Sequence, residues 1–284
     1  MIPDKKHIQR GLYAGIALLA IALFILLAPR KNRASQTTFP LYDYDDIAAK
    51  GVLRAALEYN SISMFVNGDT LAGFDYELIQ AFARDHGLRV DIMPEMSFYK
   101  RLRDLSEGAF DVIANEIPAV SPFKDTLLLT IPIVLKKEVL VQRKATSPDD
   151  SLFIKSHLAL AKRTLHVVKG SPAILRIRNL GDEIADTIYI NEVEKYGPEQ
   201  LIAMVAHGDI DYAVCEEGIA RAAADSMPQI DISTDISFTQ FYSWAVGKHS
   251  PILLDSLNTW FERFKQSETY QEIYQRYYGN RSPL

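Results

Sequence analysis

Apolar positions along this chain follow two regimes. An uncharged run, Gly11–Ala28 (GLYAGIALLAIALFILLA), comes first; from Phe39 onward short apolar runs alternate with amphipathic stretches. The first run is near the lower limit for a membrane-spanning helix, which needs roughly 17–25 apolar residues. Lys5, Lys6 and Arg10 precede it and Arg30, Lys31 and Arg33 follow it. Positive charge on both flanks leaves the orientation open. Two readings stand. One is an uncleaved anchor; the other is a signal peptide removed after export. The anchor is favoured, because the run is long for a signal peptide and Ala28-Pro29-Arg30-Lys31 is a poor cleavage site. No cysteine follows the run, which excludes a lipid anchor there. Residues 29–38 (PRKNRASQTT) read as a polar tether.

The second regime predicts an α/β fold with a largely parallel sheet covered by helices. Strands are expected at Val52–Leu57, Leu88–Met93, Phe110–Ala114 and Val139–Arg143. Between them, Phe74, Leu78, Ile79 and Phe82 form a helical stripe. Asp75 is the expected N-cap of that helix and Gly87 its stop. Ser97 is expected to cap a second helix, ended by Gly108. A second unit starts with a strand at Leu165–Val168. Ser171-Pro172 then opens a helix, with serine as cap and proline in the first turn. Strands at Thr187–Ile190, Ile210–Val214 and Trp244–Gly247, and helices at Pro198–His207, Leu253–Phe264 and Glu268–Tyr277, complete the pattern.

The two units share a short pseudo-repeat. Gly108-Ala-Phe-Asp111-Val-Ile-Ala-Asn-Glu116 matches Gly208-Asp-Ile-Asp211-Tyr-Ala-Val-Cys-Glu216 position for position. Each follows an amphipathic helix and ends on an acid at the carboxyl end of a buried strand, where ligands of parallel α/β sheets bind. The common grammar of any two α/β units accounts for the match equally well.

Composition narrows the function. The chain has 284 residues, 48% hydrophobic and 24% charged, with a net charge of −5. No basic field or nucleic-acid motif is present, so nucleic acid is not an expected partner. The single cysteine, Cys215, allows neither an intrachain disulfide nor a CxxC site. The six histidines lack metal-ligand spacing, and no nucleophile elbow, Walker loop or HExxH occurs. No cofactor, metal or catalytic residue is expected.

The order of three motifs resembles a known family. LRAALEYNSISMFVNGDTLAGFDYELIQAFARDHGLRVDIMP, then GDIDYAVCEEGIA, then SWAVGK with SETYQEIYQRYYG, resemble the periplasmic solute-binding proteins of family 3, the amino-acid type. They are also similar to the solute-binding half of membrane-bound lytic transglycosylase F. The resemblance implies a periplasmic-binding-protein-like type II fold, two lobes joined by two hinge crossings, here preceded by an N-terminal transmembrane helix. Lobe 1 would hold residues 39–143 and 238–284, and lobe 2 residues 144–237. It implies a single-pass inner-membrane protein with its globular part in the periplasm.

The family's ligand positions carry over one at a time. Its lobe-2 aspartate, which binds an α-amino group, falls on Glu216. A buried carboxylate needs a cation, and a ligand ammonium supplies one; an acidic pair at a helix start is the other reading of Glu216-Glu217. Ser171 matches the residue that receives a carboxylate at a helix N-terminus, and it can serve as a cap as well. The family's clamp arginine falls on Phe123, beside Ser121 and Lys124. Lysine is a point charge without the arginine fork, which puts a free α-amino acid in doubt; Lys124 substitutes for the arginine or is a solvated surface lysine. Glu116 adds a second acid. Tyr59, Asn60 and Phe65 belong to the loop that should line the cleft, as ligand contacts or as core.

The expected function is a membrane-anchored solute-binding protein for a small polar, amine-bearing ligand: an amino-acid derivative, a peptide or a peptidoglycan fragment. Its expected partners are that ligand, the inner membrane, and a transporter or cell-wall enzyme. The transglycosylase's catalytic half is not expected. Two alternatives stand. One is a cyclohexadienyl-dehydratase-like enzyme with Glu116 or Glu216 as general acid. The other is a ligand-free regulatory or structural partner.

Overall fold

The computed structural model describes residues 39–119 and 125–279, without the side chain of Glu116. The apolar run Gly11–Ala28 and the tether lie outside the described residues. Among those described, no helix is long and apolar enough to cross a membrane.

In chain order the elements are α1 (Tyr44–Lys50), β1 (Val52–Leu57), β2 (Phe65–Asn67), β3 (Thr70–Ala72), α2 (Phe74–Asp85), β4 (Arg89–Pro94), α3 (Phe98–Ser106), β5 (Val112–Pro118), β6 (Leu128–Leu129), β7 (Val134–Lys136) and β8 (Glu138–Arg143). They continue with β9 (Thr164–Val168), α4 (Ala173–Glu183), β10 (Tyr189–Val193), α5 (Pro198–His207), β11 (Tyr212–Glu216), α6 (Glu217–Ala224), β12 (Ile230–Asp235), β13 (Gln240–Val246), α7 (Pro251–Phe264) and α8 (Glu268–Tyr278).

The strands form two principal sheets. The first has the order β4-β1-β5-β13-β6, with β7 also paired to β13; the second has the order β10-β9-β11-β8-β12. β1 runs parallel to β4 and β5, and β9 parallel to β10 and β11. β13 and β8 are the antiparallel members. The chain therefore passes from the first sheet to the second at Lys137 and returns between Asp235 and Gln240. Glu138 binds the two crossings together. Its N–H donates to Ser237 Oγ at 2.9 Å, and its carbonyl accepts from Ile236 and Ser237 N–H at 2.8 and 3.2 Å.

Sheet membership revises one expected boundary. Glu138–Arg143 was assigned to the first lobe, but β8 is hydrogen-bonded between β11 and β12 of the second sheet. An apolar strand looks alike in either sheet, and only its distant partners decide which it joins.

Aromatic packing fixes the helices on the first sheet. Phe74 of α2 meets Tyr270, Tyr274 and Tyr278 of α8 edge-on, with ring centroids 5.0–6.4 Å apart. Trp260 and Phe261 of α7 pack against Phe82 and Trp244. Each large apolar side chain buried in this way contributes about 1.5–3 kcal/mol. Asp75 is not the N-cap of α2, which is Gly73. It is fully buried and accepts a hydrogen bond from the Trp244 indole at 2.7 Å. A tertiary partner far along the chain has taken a residue that local sequence offers to the helix start.

The pseudo-repeat carries a shared internal brace. Arg54 donates to the carbonyls of Gly108 and Ala109 and pairs with Asp111. Arg143 donates to the carbonyls of Val205 and Ile210 and pairs with Asp211. In both lobes an arginine from a neighbouring strand gathers the carbonyls around a helix end and the repeat's aspartate. Gly208 ends α5 in the left-handed region (φ +87°), a conformation that costs a side-chain-bearing residue about 1–2 kcal/mol.

Candidate functional site

The carboxyl ends of the parallel strands in both sheets face one cleft. Residues following β1 (Glu58, Asn60), β4 (Met96) and β9 (Lys169, Ser171) line its inner cavity. Asn115 in the middle of β5, and Cys215 and Glu216 at the end of β11, complete the ring. This is the position that parallel α/β sheets favour for ligands, because side chains there converge without blocking the sheet. The inner cavity has a volume of about 110 Å³. An outer cleft of about 1030 Å³ shares Glu58, Asn60, Met96, Val168, Lys169 and Pro198 with it, and adds Tyr59, Phe65, Tyr99 and Tyr196.

Two contacts hold the lobes together across this cleft. The Ser61 N–H of the first lobe donates to Glu199 Oε1 of the second at 2.8 Å. Tyr99 lies on Gly170: a Cβ built at Gly170 would sit 2.7 Å from the Tyr99 ring, and Gly170 has φ +73°. Both contacts require the lobes to be drawn together, so the structure describes a closed arrangement.

Charged side chains fill the base. Glu216 caps α6, accepting from Gly218 N–H at 2.7 Å and Ile219 N–H at 3.3 Å, and lies 3.6 Å from Lys136 Nζ. Arg101, 4% exposed, pairs with Glu58 at 2.8 Å and donates to the Glu95 carbonyl at 2.6 Å. Glu138 lines the cavity beside them. Burial, then repulsion from Glu216, raises its carboxyl to about 7, against the attraction of Lys136. Burial likewise pushes the Cys215 thiol well above its ordinary range, so it is no thiolate nucleophile at neutral pH. Among the described residues no group of three or more histidines, cysteines or acids could hold a metal ion.

The residues singled out from sequence divide three ways. Glu216, Ser171 and Asn60 meet in the inner cavity, and Tyr59, Asn60 and Phe65 in the outer cleft. Glu116 lies on β5 with its side chain outside the described atoms, and Ser121 and Lys124 lie outside the described residues. Several also carry local structure. Ser171 is not the N-cap of α4, which is Pro172; its Oγ accepts from Ala173 N–H at 3.2 Å from one residue further out, because the proline already takes a helical backbone. Asn60 Oδ1 accepts from Ile62 and Ser63 N–H and shapes the loop. Phe65 meets Tyr277 edge-on, whereas Tyr59 is 47% exposed.

Sequence reasoning missed Lys136, Glu138, Arg101, Glu58 and Asn115. Lys136 and Glu138 flank a crossing that no local sequence pattern marks. The one available signal was their position between two apolar strands.

Comparisons with known proteins agree with this geometry. The chain is 25% identical over 245 residues to membrane-bound lytic murein transglycosylase F of Photobacterium profundum, covering 84% of this chain and 46% of that protein. A second such transglycosylase, from Desulfosudis oleivorans, is 27% identical over 82% of this chain and 50% of its own length. The chain thus spans about half the length of these curated relatives. Among solved structures, a mutant of ArgBP from T. maritima superposes with a TM-score of 0.70 at 22% identity, over 83% of this chain and 99% of that one. At that identity the likeness speaks for the fold alone. A family model matches residues 53–280, nearly the whole region built around the cleft, and the chain belongs to the bacterial extracellular solute-binding proteins, family 3.

Proposed function

We propose that this chain is a membrane-anchored, extracytoplasmic binding protein whose lobes close on a small amine-bearing solute, for transport or sensing. One observation carries the reading: carboxylates from both halves, Glu58 after β1 and Glu138 and Glu216 on the second sheet, line a cavity between lobes that are held shut by Ser61–Glu199 and Tyr99–Gly170. A ligand ammonium near Glu216 would share the carboxylate with Lys136 and the α6 amides. The ligand's carboxylate would face Ser171 and Arg101, an arginine that stands on α3 and not at position 123. Tyr59, Phe65, Tyr99 and Tyr196 leave room in the outer cleft for an extended ligand, such as a peptide or peptidoglycan fragment. The apolar run Gly11–Ala28 and the membrane-bound relatives support anchoring. A structural neighbour from Wolinella succinogenes, a putative transporter binding component complexed with lysine, supports an amine-bearing ligand. Thermal-shift screening of the full chain against amino acids, murein peptides and amino sugars tests the proposal. At least one should raise Tm with concentration; a flat response across the panel would favour the ligand-free structural partner.

Glu138 gives a second reading some support. A buried carboxyl raised to about 7 suits a general acid. Incubation with prephenate or arogenate decides between them, because sustained turnover would make the chain an enzyme of the dehydratase kind.

A further inference from the structure

A lysine of the protein already stands where a solute's ammonium would. Lys136 ends β7 of the first sheet, and its Nζ lies 3.6 Å from Glu216 Oε2 at the end of β11 in the second. Both belong to the wall of the inner cavity, with side chains 7% and 11% exposed. The rings of Tyr242 on β13 and Tyr278 on α8 lie 5.6 and 5.8 Å from the same ammonium. A carboxylate and aromatic faces together favour a desolvated cation. Here the cation comes from within the chain, and from the lobe opposite the carboxylate.

Three features make this contact exchangeable. Glu216 does not depend on the lysine for its position, because Gly218 and Ile219 N–H hold its two oxygens at 2.7 and 3.3 Å. The 3.6 Å separation exceeds the roughly 2.7–2.9 Å of a formed ammonium–carboxylate hydrogen bond, so attraction between charges carries the pair. Glu138 is the cross-strand neighbour of Glu216 and offers the lysine a second carboxylate, which Lys136 already attracts. The lysine can leave Glu216 without entering solvent and without disturbing the carboxylate it leaves.

We propose that Lys136 is a tethered stand-in for the solute's ammonium: it neutralises Glu216 in the absence of solute, and an amine-bearing solute binds by displacing it toward Glu138. The inference rests on the reading of Glu216 as the carboxylate that meets the solute's amine. It makes the contact autoinhibitory. Every incoming amine competes with an ammonium that cannot diffuse away, and the buried carboxylate is never left without a cation, which would be strongly unfavourable.

Small alkylammonium ions test this without knowledge of the natural solute. Lys136→Ala in the full chain removes the length of one n-propylammonium ion. That ion should raise the Tm of K136A with concentration. Its half-maximal effect should come at least about tenfold below any effect on the wild type, the usual weight of a hydrogen bond to a charged group. Equal concentrations of n-propanol and of sodium chloride should not reproduce the rise, and the double variant K136A/E216Q should lose it. Lys136→Met keeps the volume and removes the charge, so it serves if K136A does not fold. Methylammonium should raise the Tm of K136M at concentrations about tenfold lower than the wild type needs. Equal responses of the wild type and a folded variant would overturn the stand-in, as would a response of K136A that survives Glu216→Gln. In either case a solute found by screening the wild type would keep the cleft as a binding site. Variants that do not respond, together with a flat screen of the wild type, would overturn the site reading and this inference together.

Discussion

Glu138→Gln removes one ionisable group from the base of the cleft while keeping nearly the same shape. In the wild type, burial and then repulsion from Glu216 raise that carboxyl from 4.5 to about 7. A folded-state pKa above the unfolded one means that the folded chain holds the proton more tightly. Stability therefore falls as pH rises, beginning near 4.5 and levelling off above about 7. At about 1.4 kcal/mol per pKa unit, the difference corresponds to about 3 kcal/mol. Glutamine lacks this loss, so E138Q should gain up to about 3 kcal/mol on the wild type between about pH 5 and pH 8. For a domain of this size each kcal/mol moves Tm by about 2–4 °C, which gives a relative gain of about 6–12 °C. Thermal scans of both full chains, followed by tryptophan fluorescence across this pH range, make the measurement. Parallel Tm profiles would refute the reasoning, because they would show that Glu138 ionises as readily folded as unfolded.

Three further substitutions probe the closed cleft and its support. Gly170→Ala places a Cβ against Tyr99 at a positive φ, and should weaken ligand binding about tenfold in calorimetry; adding Tyr99→Ala should restore part of that loss. Glu199→Ala removes the acceptor of Ser61 N–H and should lower affinity by about tenfold. If the contact is a latch, the Tm of the ligand-free protein should change little. Asp75→Ala leaves the buried Trp244 indole without its acceptor and should cost about 2–3 kcal/mol in urea unfolding; Asp75→Asn, which can still accept, should cost less.

The sequence disclosed most where periodicity and end signals coincide. Phe74, Leu78, Ile79 and Phe82 marked α2, and all four are fully buried. The repeat led to Glu216 because an acid closing a buried strand is a local pattern, and that residue does line the cavity. What escaped depends on partners far along the chain. Asp75 looked like a cap because Trp244, its true partner, lies 169 residues away. Lys136 and Glu138 went unmarked because VLKKEVLV contains no sign that the chain changes sheets there. The same ambiguity moved the lobe boundary to residue 143. Arg101 went unmarked because the inward turn of its guanidinium to Glu58 is set by packing and not by local sequence. α6 was legible only as the helix-start reading of Glu216-Glu217, because it begins at the residue after β11, with Glu216 ending the strand and capping the helix.

The account stands on solute binding between the two sheets. Hydrogen–deuterium exchange on the full chain, with and without saturating L-lysine, tests that claim most directly. Amides after β1 (residues 58–62) and at the β11–α6 junction (residues 214–219) should be protected together, because they face one cavity from opposite lobes. Protection confined to one lobe, or absent from both segments, would contradict it.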